Sequence, residues 1–257
     1  MYYKQNEGDS MDPTTAITMA CAGSFLASEL ITHGDVVDTL KDKLRIYRKD
    51  KIEVSQFREP LSNELVIGYN PFSYDRLPII ADMYKNPHML VSGLSQQGKS
   101  SMVEYALRGR QSIILNAIPD NFQSLDPIER ITDYEEMIYV LVELIKSGRS
   151  KEPLYVVIDE MLQLVIDGKK QVTELITKLL AKAAHNNIFV IGITQSAEKE
   201  VVKCKHLFNT RVCFRVVDDS SYKVVLGYTP EEQILAPRYF YYITDHKGVG
   251  CTYDLSL

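Results

Sequence analysis

The sequence predicts an α/β fold in which a mostly parallel central sheet is covered by helices on both faces. Two observations carry that expectation: from about residue 88 short β-rich runs alternate with longer helical patterns, and a glycine-rich loop joins one apolar run to the helix after it. In chain order, Glu64–Tyr69 and Leu77–Ala81 read as short strands around the turn-rich Asn70-Pro71-Phe72-Ser73, a hairpin ahead of the main sheet. Candidate strands follow at His88–Ser92, Ser112–Leu115, Leu154–Ile158, Ile188–Ile193 and Arg211–Val216. Candidate helices lie at Lys99–Leu107, Asp133–Lys146 and Val172–His185. The last of these sets Val172, Leu175, Ile176, Leu179, Leu180 and Ala183 on one stripe, which predicts burial of that face against the sheet. A short helix around Tyr222–Leu226 and strand-like Tyr239–Thr244 and Gly250–Leu255 complete the pattern.

Ahead of the hairpin, the first ten residues are polar, and Ser24–Arg48 reads as helical segments interrupted near His33 and Gly34. The expected organisation is an N-terminal extension over residues 1–63 and one α/β domain over residues 64–257. With 257 residues, 45% of them hydrophobic and 25% charged, the chain suits one large folded domain plus a modest extra segment. Its net charge of -5 excludes a uniformly basic protein that coats nucleic acid, so any contact with phosphate backbones must come from a local basic surface. Cys21, Cys204, Cys213 and Cys251 are too scattered for a zinc site and read as reduced thiols of a cytoplasmic protein. Thr15–Ile31 carries Ser24, Ser28 and Glu29 and falls short of the ~20 apolar residues of a membrane span, so a packed amphipathic helix is the expectation and membrane association the alternative. Glu7, Asp9 and Asp12 precede it where a signal peptide carries basic residues.

Chemistry enters at Gly93-Leu94-Ser95-Gln96-Gln97-Gly98-Lys99-Ser100, which fits GxxxxGK[ST] and sits between a strand and a helix, the context that motif requires. Such a loop turns its backbone N–H groups inward as an anion nest, and the following helix adds its positive N-terminal end. The site is expected to hold ATP, with Lys99 on the β and γ phosphates and Ser100 on Mg²⁺. Ser101 either contacts the α phosphate or is an ordinary polar residue of a first helical turn. The strand Leu154–Ile158 ends in Asp159-Glu160 at the carboxyl edge of the sheet, where Asp159 is expected to hold the Mg²⁺ hydration shell and Glu160 to orient or deprotonate the attacking water. Alone, such a pair is often just a helix N-cap. A third apolar strand ends in Thr194-Gln195, whose amide either senses the γ phosphate and the attacking water or is a strand-end turn residue.

These motifs, in this order, resemble the FtsK/SpoIIIE family of DNA-translocating ATPases within the FtsK-HerA group. The resemblance begins at Leu65-Val66-Ile67-Gly68 and at Asn86-Pro87-His88-Met89-Leu90-Val91-Ser92-Gly93, including the Pro-His pair. It continues through Asp159-Glu160, Ala183-Ala184-His185, Ile188–Gln195 and Asn209–Val216. The implied fold is a RecA-like P-loop NTPase, preceded by the small helical and β-hairpin region. Departures are Gln96 in place of a loop glycine, which predicts a strained loop there, and Ile113-Ile114-Leu115-Asn116 without the family's Asp-Pro-Lys. The chain resembles a stripped motor core of mobile elements and phages.

The resemblance further implies a homo-oligomeric ring, commonly a hexamer, with double-stranded DNA in its channel and an arginine completing the neighbour's active site. Arg211 is the first candidate for that arginine, ahead of Arg238 and Arg215, the alternative being a structural salt bridge. For DNA contact, Lys199, Lys203, Lys205 and His206 follow the glutamine strand, but Glu198 and Glu200 dilute the charge and favour a solvated helix face over a DNA contact. The run Lys41, Lys43, Arg45, Arg48, Lys49 and Lys51 is either a phosphate contact or an exposed amphipathic helix. Partners consistent with such a motor are a relaxase, a replication initiator or a phage capsid. A single-strand helicase or loader and an ATP-binding assembly module without motor activity remain as alternatives.

Overall fold

The computed structural model describes residues 59–116, 120–195, 204–231 and 236–253, with the side chains of 167–169 and 219 excepted. The expectations for Thr15–Ile31, Ser24–Arg48, Lys41–Lys51, Lys199 and Lys203 therefore lie outside the described residues. The described chain forms ten strands: β1 Glu64–Tyr69, β2 Pro78–Asp82, β3 Met89–Ser92, β4 Ser112–Leu115, β5 Glu129–Ile131, β6 Leu154–Ile158, β7 Ile188–Thr194, β8 Thr210–Phe214, β9 Tyr239–Ile243 and β10 Lys247–Cys251. Its α-helices are α1 Lys99–Ala106, α2 Tyr134–Lys146, α3 Met161–Ala183 and α4 Asp219–Leu226.

All ten strands join one sheet in the order β2-β1-β10-β9-β8-β3-β7-β6-β4-β5. From β8 to β5 every pairing is parallel; from β8 to β2 every pairing is antiparallel. The expected parallel core and hairpin are both present, and the hairpin is part of the main sheet through the β1–β10 pairing.

Side chains alternate between two apolar cores, as the strand period of two requires. Along β6, Val156 and Ile158 face the core that holds Leu141 of α2, Ile176 and Leu179 of α3 and Val225 of α4, whereas Tyr155 and Val157 face the core that holds Met102 and Val103 of α1. Continuing the alternation, Asp159 falls on the α1 side. Its N–H extends the ladder by donating to Leu115 O at 2.9 Å.

Helix ends follow their sequence signals. Asp133 caps α2 by accepting from Glu136 N at 2.9 Å, and Asp218 caps α4 by accepting from Ser221 N at 3.0 Å. Three elements differ most from the sequence expectation. Helix α3 starts at Met161, well before Val172, because buried Met161, Leu164 and Val165 extend the apolar stripe and outweigh the ~1 kcal/mol cost of Gly168 inside a helix. Strand β5 is a three-residue edge with one buried side chain, too short to show a period. Strand β10 begins at Lys247, which pairs with Ile243 across the hairpin from β9, and Gly250 packs close on Phe240, where a Cβ would meet the ring at 2.5 Å.

Candidate functional site

Parallel register brings four strand ends to one edge of the sheet. Ser92 of β3 is level with Thr194 of β7 and with Cys213 of β8, while Ile158 of β6 is level with Gly192. The loop after β3, the acids after β6 and Gln195 after β7 therefore converge.

The loop is held from three directions. Gly93 N donates to Thr194 O at 3.3 Å, Leu94 N to Arg215 O at 2.9 Å, and Arg238 N to Gln97 O at 3.0 Å. Gly93 cannot be larger, since a Cβ lies 2.6 Å from Phe214 Cβ and its φ is +146°. Gln96 adopts φ +60°, the strained left-handed conformation expected from its replacement of a glycine. Gly98, at φ +103°, is the N-cap of α1 and supplies no side-chain cap, so the first-turn N–H groups of Lys99, Ser100 and Ser101 are left for an anion.

Lys99 is 7% exposed, and its Nζ donates to Gly93 O and Leu94 O at 2.8 Å each. Burial pushes its pKa down, and the negative charges of Glu160 and Asp159 push the other way. Both acids thus lie within electrostatic reach of the ammonium.

Asp159 is 1% exposed; its Oδ2 accepts from Asn121 Nδ2 at 2.8 Å, and its backbone carbonyl accepts from Asn116 Nδ2 at 3.0 Å. Glu160 occupies the N-cap position of α3 at φ +46°, yet its side chain makes no cap hydrogen bond. Its Oε1 instead accepts from Gln195 Nε2, while Gln195 Oε1 accepts from Ser95 Oγ at 2.8 Å. That geometry disfavours the plain N-cap reading of the acid pair. A left-handed non-glycine residue at this position is the kind of local strain that collects at functional sites.

A hydroxyl at Ser100 and a carboxylate at Asp159 form the hard oxygen donor set that Mg²⁺ prefers, so the residues present fit that ion. Among the described residues, no group of three His, Cys, Asp or Glu side chains is arranged to hold a metal by itself.

Arg211 is not brought to the loop. It lies at the amino end of β8, level with Leu90, and its Nε donates to Phe208 O at 3.0 Å. Lys205 Nζ donates to Val224 O, so this expected DNA contact also ties the chain to α4. Arg238 stands beside the loop at φ +78°, with its Cα 3.6 Å from the Cβ position of Gly98 and its guanidinium on the Thr252 carbonyl. Asn116, Asn121 and the direct Ser95–Gln195–Glu160 contact escaped the sequence reading. A polar residue just past a strand end was the only available signal for Asn116. No described helix is long and apolar enough to cross a membrane.

No family model matches the chain. It is 23% identical over 214 aligned positions to the DNA translocase FtsK of Borreliella burgdorferi, covering 65% of this chain and 27% of that protein. The chain therefore spans about a quarter of that relative's length. Among solved structures it is similar to the pCW3 conjugation coupling protein TcpA, in a monomer form with ATPγS, at TM-score 0.63 and 16% identity over 77% of this chain and 68% of the other. The cytoplasmic domain of the type VII secretion ATPase EccC of Thermomonospora curvata aligns at TM-score 0.60 and 14% identity, over 79% of this chain and 30% of the other. In fold the chain has the RecA-like P-loop architecture, as the sequence led us to expect.

Proposed function

We propose that this chain hydrolyses ATP to move double-stranded DNA, with residues 64–257 as the motor, residues 1–63 as an extension, and a homo-oligomeric, hexameric ring as the working form. The observation that carries the ATPase part is the convergence of the phosphate loop, buried Lys99 and the Asp159-Glu160 pair at one sheet edge. The DNA part is supported by the likeness to FtsK, a DNA translocase by name, and to a conjugation coupling protein.

In this reading Gly93, Ser95, Gln96, Gln97, Gly98 and the α1 N-terminus line the phosphates with backbone N–H groups, and Lys99 leaves its loop carbonyls for the β and γ oxygens. Ser101 lies at the α phosphate. Ser100 and Asp159 hold Mg²⁺, which when bound neutralises phosphate charge. Glu160 accepts a proton from water as the water oxygen bonds to the γ phosphorus, and the bond to the ADP oxygen breaks with its electron pair left on ADP. Gln195 fixes the orientation of Glu160. Arg211, remote from its own loop, serves the site of the neighbouring copy. Lys199, Lys203 and Lys205 contact the DNA backbone, and the surrounding system is cytoplasmic conjugative transfer, plasmid maintenance or phage packaging with a relaxase, replication initiator or capsid partner.

The test is ATP turnover with and without duplex DNA over a range of protein concentrations. DNA-stimulated, concentration-dependent turnover is expected. Turnover indifferent to DNA overturns the motor reading in favour of an assembly module, and unwinding of forked DNA without duplex movement favours a helicase.

A further inference from the structure

Ser95, Gln195 and Glu160 come from three different strand ends and meet in one hydrogen-bonded row. We propose that Ser95 is a positioning residue for Glu160, acting through Gln195, so that the phosphate loop itself aims the group that takes the water's proton. The proposal rests on the ATPase reading above and adds a role for a loop side chain.

The direction of the row follows from its atoms. A serine hydroxyl donates to the amide oxygen of Gln195, which leaves the amide nitrogen turned toward Glu160. The opposite amide orientation sets a carbonyl oxygen against a carboxylate, with no proton between them. The Glu160 carboxylate therefore sets the amide orientation, and the Ser95 hydroxyl, donating to the amide oxygen, holds the far end of the amide in place.

Both ends of the row need that support. Glu160 leaves the N-cap of α3 without a side-chain cap bond, and its carboxylate is instead held by Gln195. Ser95 is presented by fixed backbone: Leu94 N is bonded to Arg215 O on one side, and Gln96 turns the chain at φ +60° on the other.

Four variants test the row: Ser95→Ala, Ser95→Thr, Gln195→Ala and the double variant Ser95→Ala/Gln195→Ala. Loss of one neutral hydrogen bond predicts a fall in kcat of about five- to tenfold in Ser95→Ala, with the affinity for a non-hydrolysable ATP analogue changed by less than about threefold. Ser95→Thr keeps the hydroxyl and restores kcat to within about twofold of wild type. Gln195→Ala lowers kcat at least as far as Ser95→Ala, and the double variant is no slower than Gln195→Ala. Losses that multiply in the double variant, or a Ser95→Ala defect confined to nucleotide affinity, overturn the proposal. The side-chain amide resonances of Gln195, read by nitrogen-15 NMR on nucleotide-free protein, need no turnover. They shift in Ser95→Ala and in Glu160→Ala and stay unchanged in Ser101→Ala. An amide insensitive to Ser95→Ala overturns the row even if ATP is hydrolysed. A wild-type protein without turnover overturns the ATPase reading, while the amide shifts still decide the row.

Discussion

His88 offers a quantitative test of how the phosphate-loop strand is anchored. Its ring is buried between β7 and α3: Nδ1 accepts from Val190 N at 3.0 Å, so the proton sits on Nε2, which donates to Leu180 O at 2.9 Å. Burial pushes its pKa down to about 4, against ~6.5 for an unfolded imidazole. The folded value is the lower one, so between these limits the unfolded chain binds the extra proton. The stabilising contribution is therefore complete above pH ~6.5 and is lost as pH falls toward 4. The gap corresponds to about 3 kcal/mol across that window. The perturbation is His88→Asn, which removes the titrating group while tolerating the φ of +63° at this position. Urea unfolding of both proteins at several pH values from 7 to 4 gives the assay, because contributions from all other titrating groups cancel in the difference. Wild type is the more stable at pH 7, and the two curves converge by about 3 kcal/mol on acidification. Parallel curves across the whole range refute the buried, neutral imidazole.

Lys99→Ala is expected to abolish productive ATP binding, measured by titration with a fluorescent ATP analogue, because no other basic side chain lies in the loop. Glu160→Gln keeps nucleotide binding and slows hydrolysis by about 10²-fold or more, since an amide cannot accept the water's proton; steady-state turnover equal to wild type moves the base elsewhere. For Arg211, inactive Arg211→Ala and Glu160→Gln proteins are mixed at several ratios after size measurement shows that mixed rings form. Partial recovery of ATP hydrolysis is expected if the arginine acts across a subunit boundary, and high activity in Arg211→Ala alone eliminates that role.

The phosphate loop, Asp159-Glu160 and Gln195 were legible because each is a short polar signal at the end of an apolar run, and parallel strands deliver such ends to one edge. Gln96 was legible for a different reason: a residue with a Cβ where the loop turns left-handed announces strain, and its φ of +60° bears this out. Asn121 was not legible. It reaches Asp159 from a loop whose carbonyls, at Asn121 and Phe122, are held by Arg130 of the edge strand at 2.9 and 2.8 Å, and that edge strand has no pattern of its own. Likewise, the N–H of Arg238 reaches Gln97 through the return of β9 beside β8, a pairing between segments that are distant in sequence.

Strand order explains why the loop and the acids communicate through Gln195. Strand β7 lies between β3 and β6, so the phosphate loop and Asp159-Glu160 start two strand spacings apart, about 10 Å. That gap is wider than a direct hydrogen bond between a serine hydroxyl and a glutamate carboxylate can span, yet it suits a phosphate group and a water molecule. Only the end of β7 stands at the midpoint. Since β7 runs two residues past the level of Ile158, Gln195 emerges alongside Glu160 rather than beneath it. A side chain there needs a donor for the carboxylate, and a primary amide supplies it while offering its oxygen to the hydroxyl. Glutamate lacks that donor. The middle strand thus places an amide between the loop and the acid, bonded to the serine at 95 as well as to the carboxylate at 160.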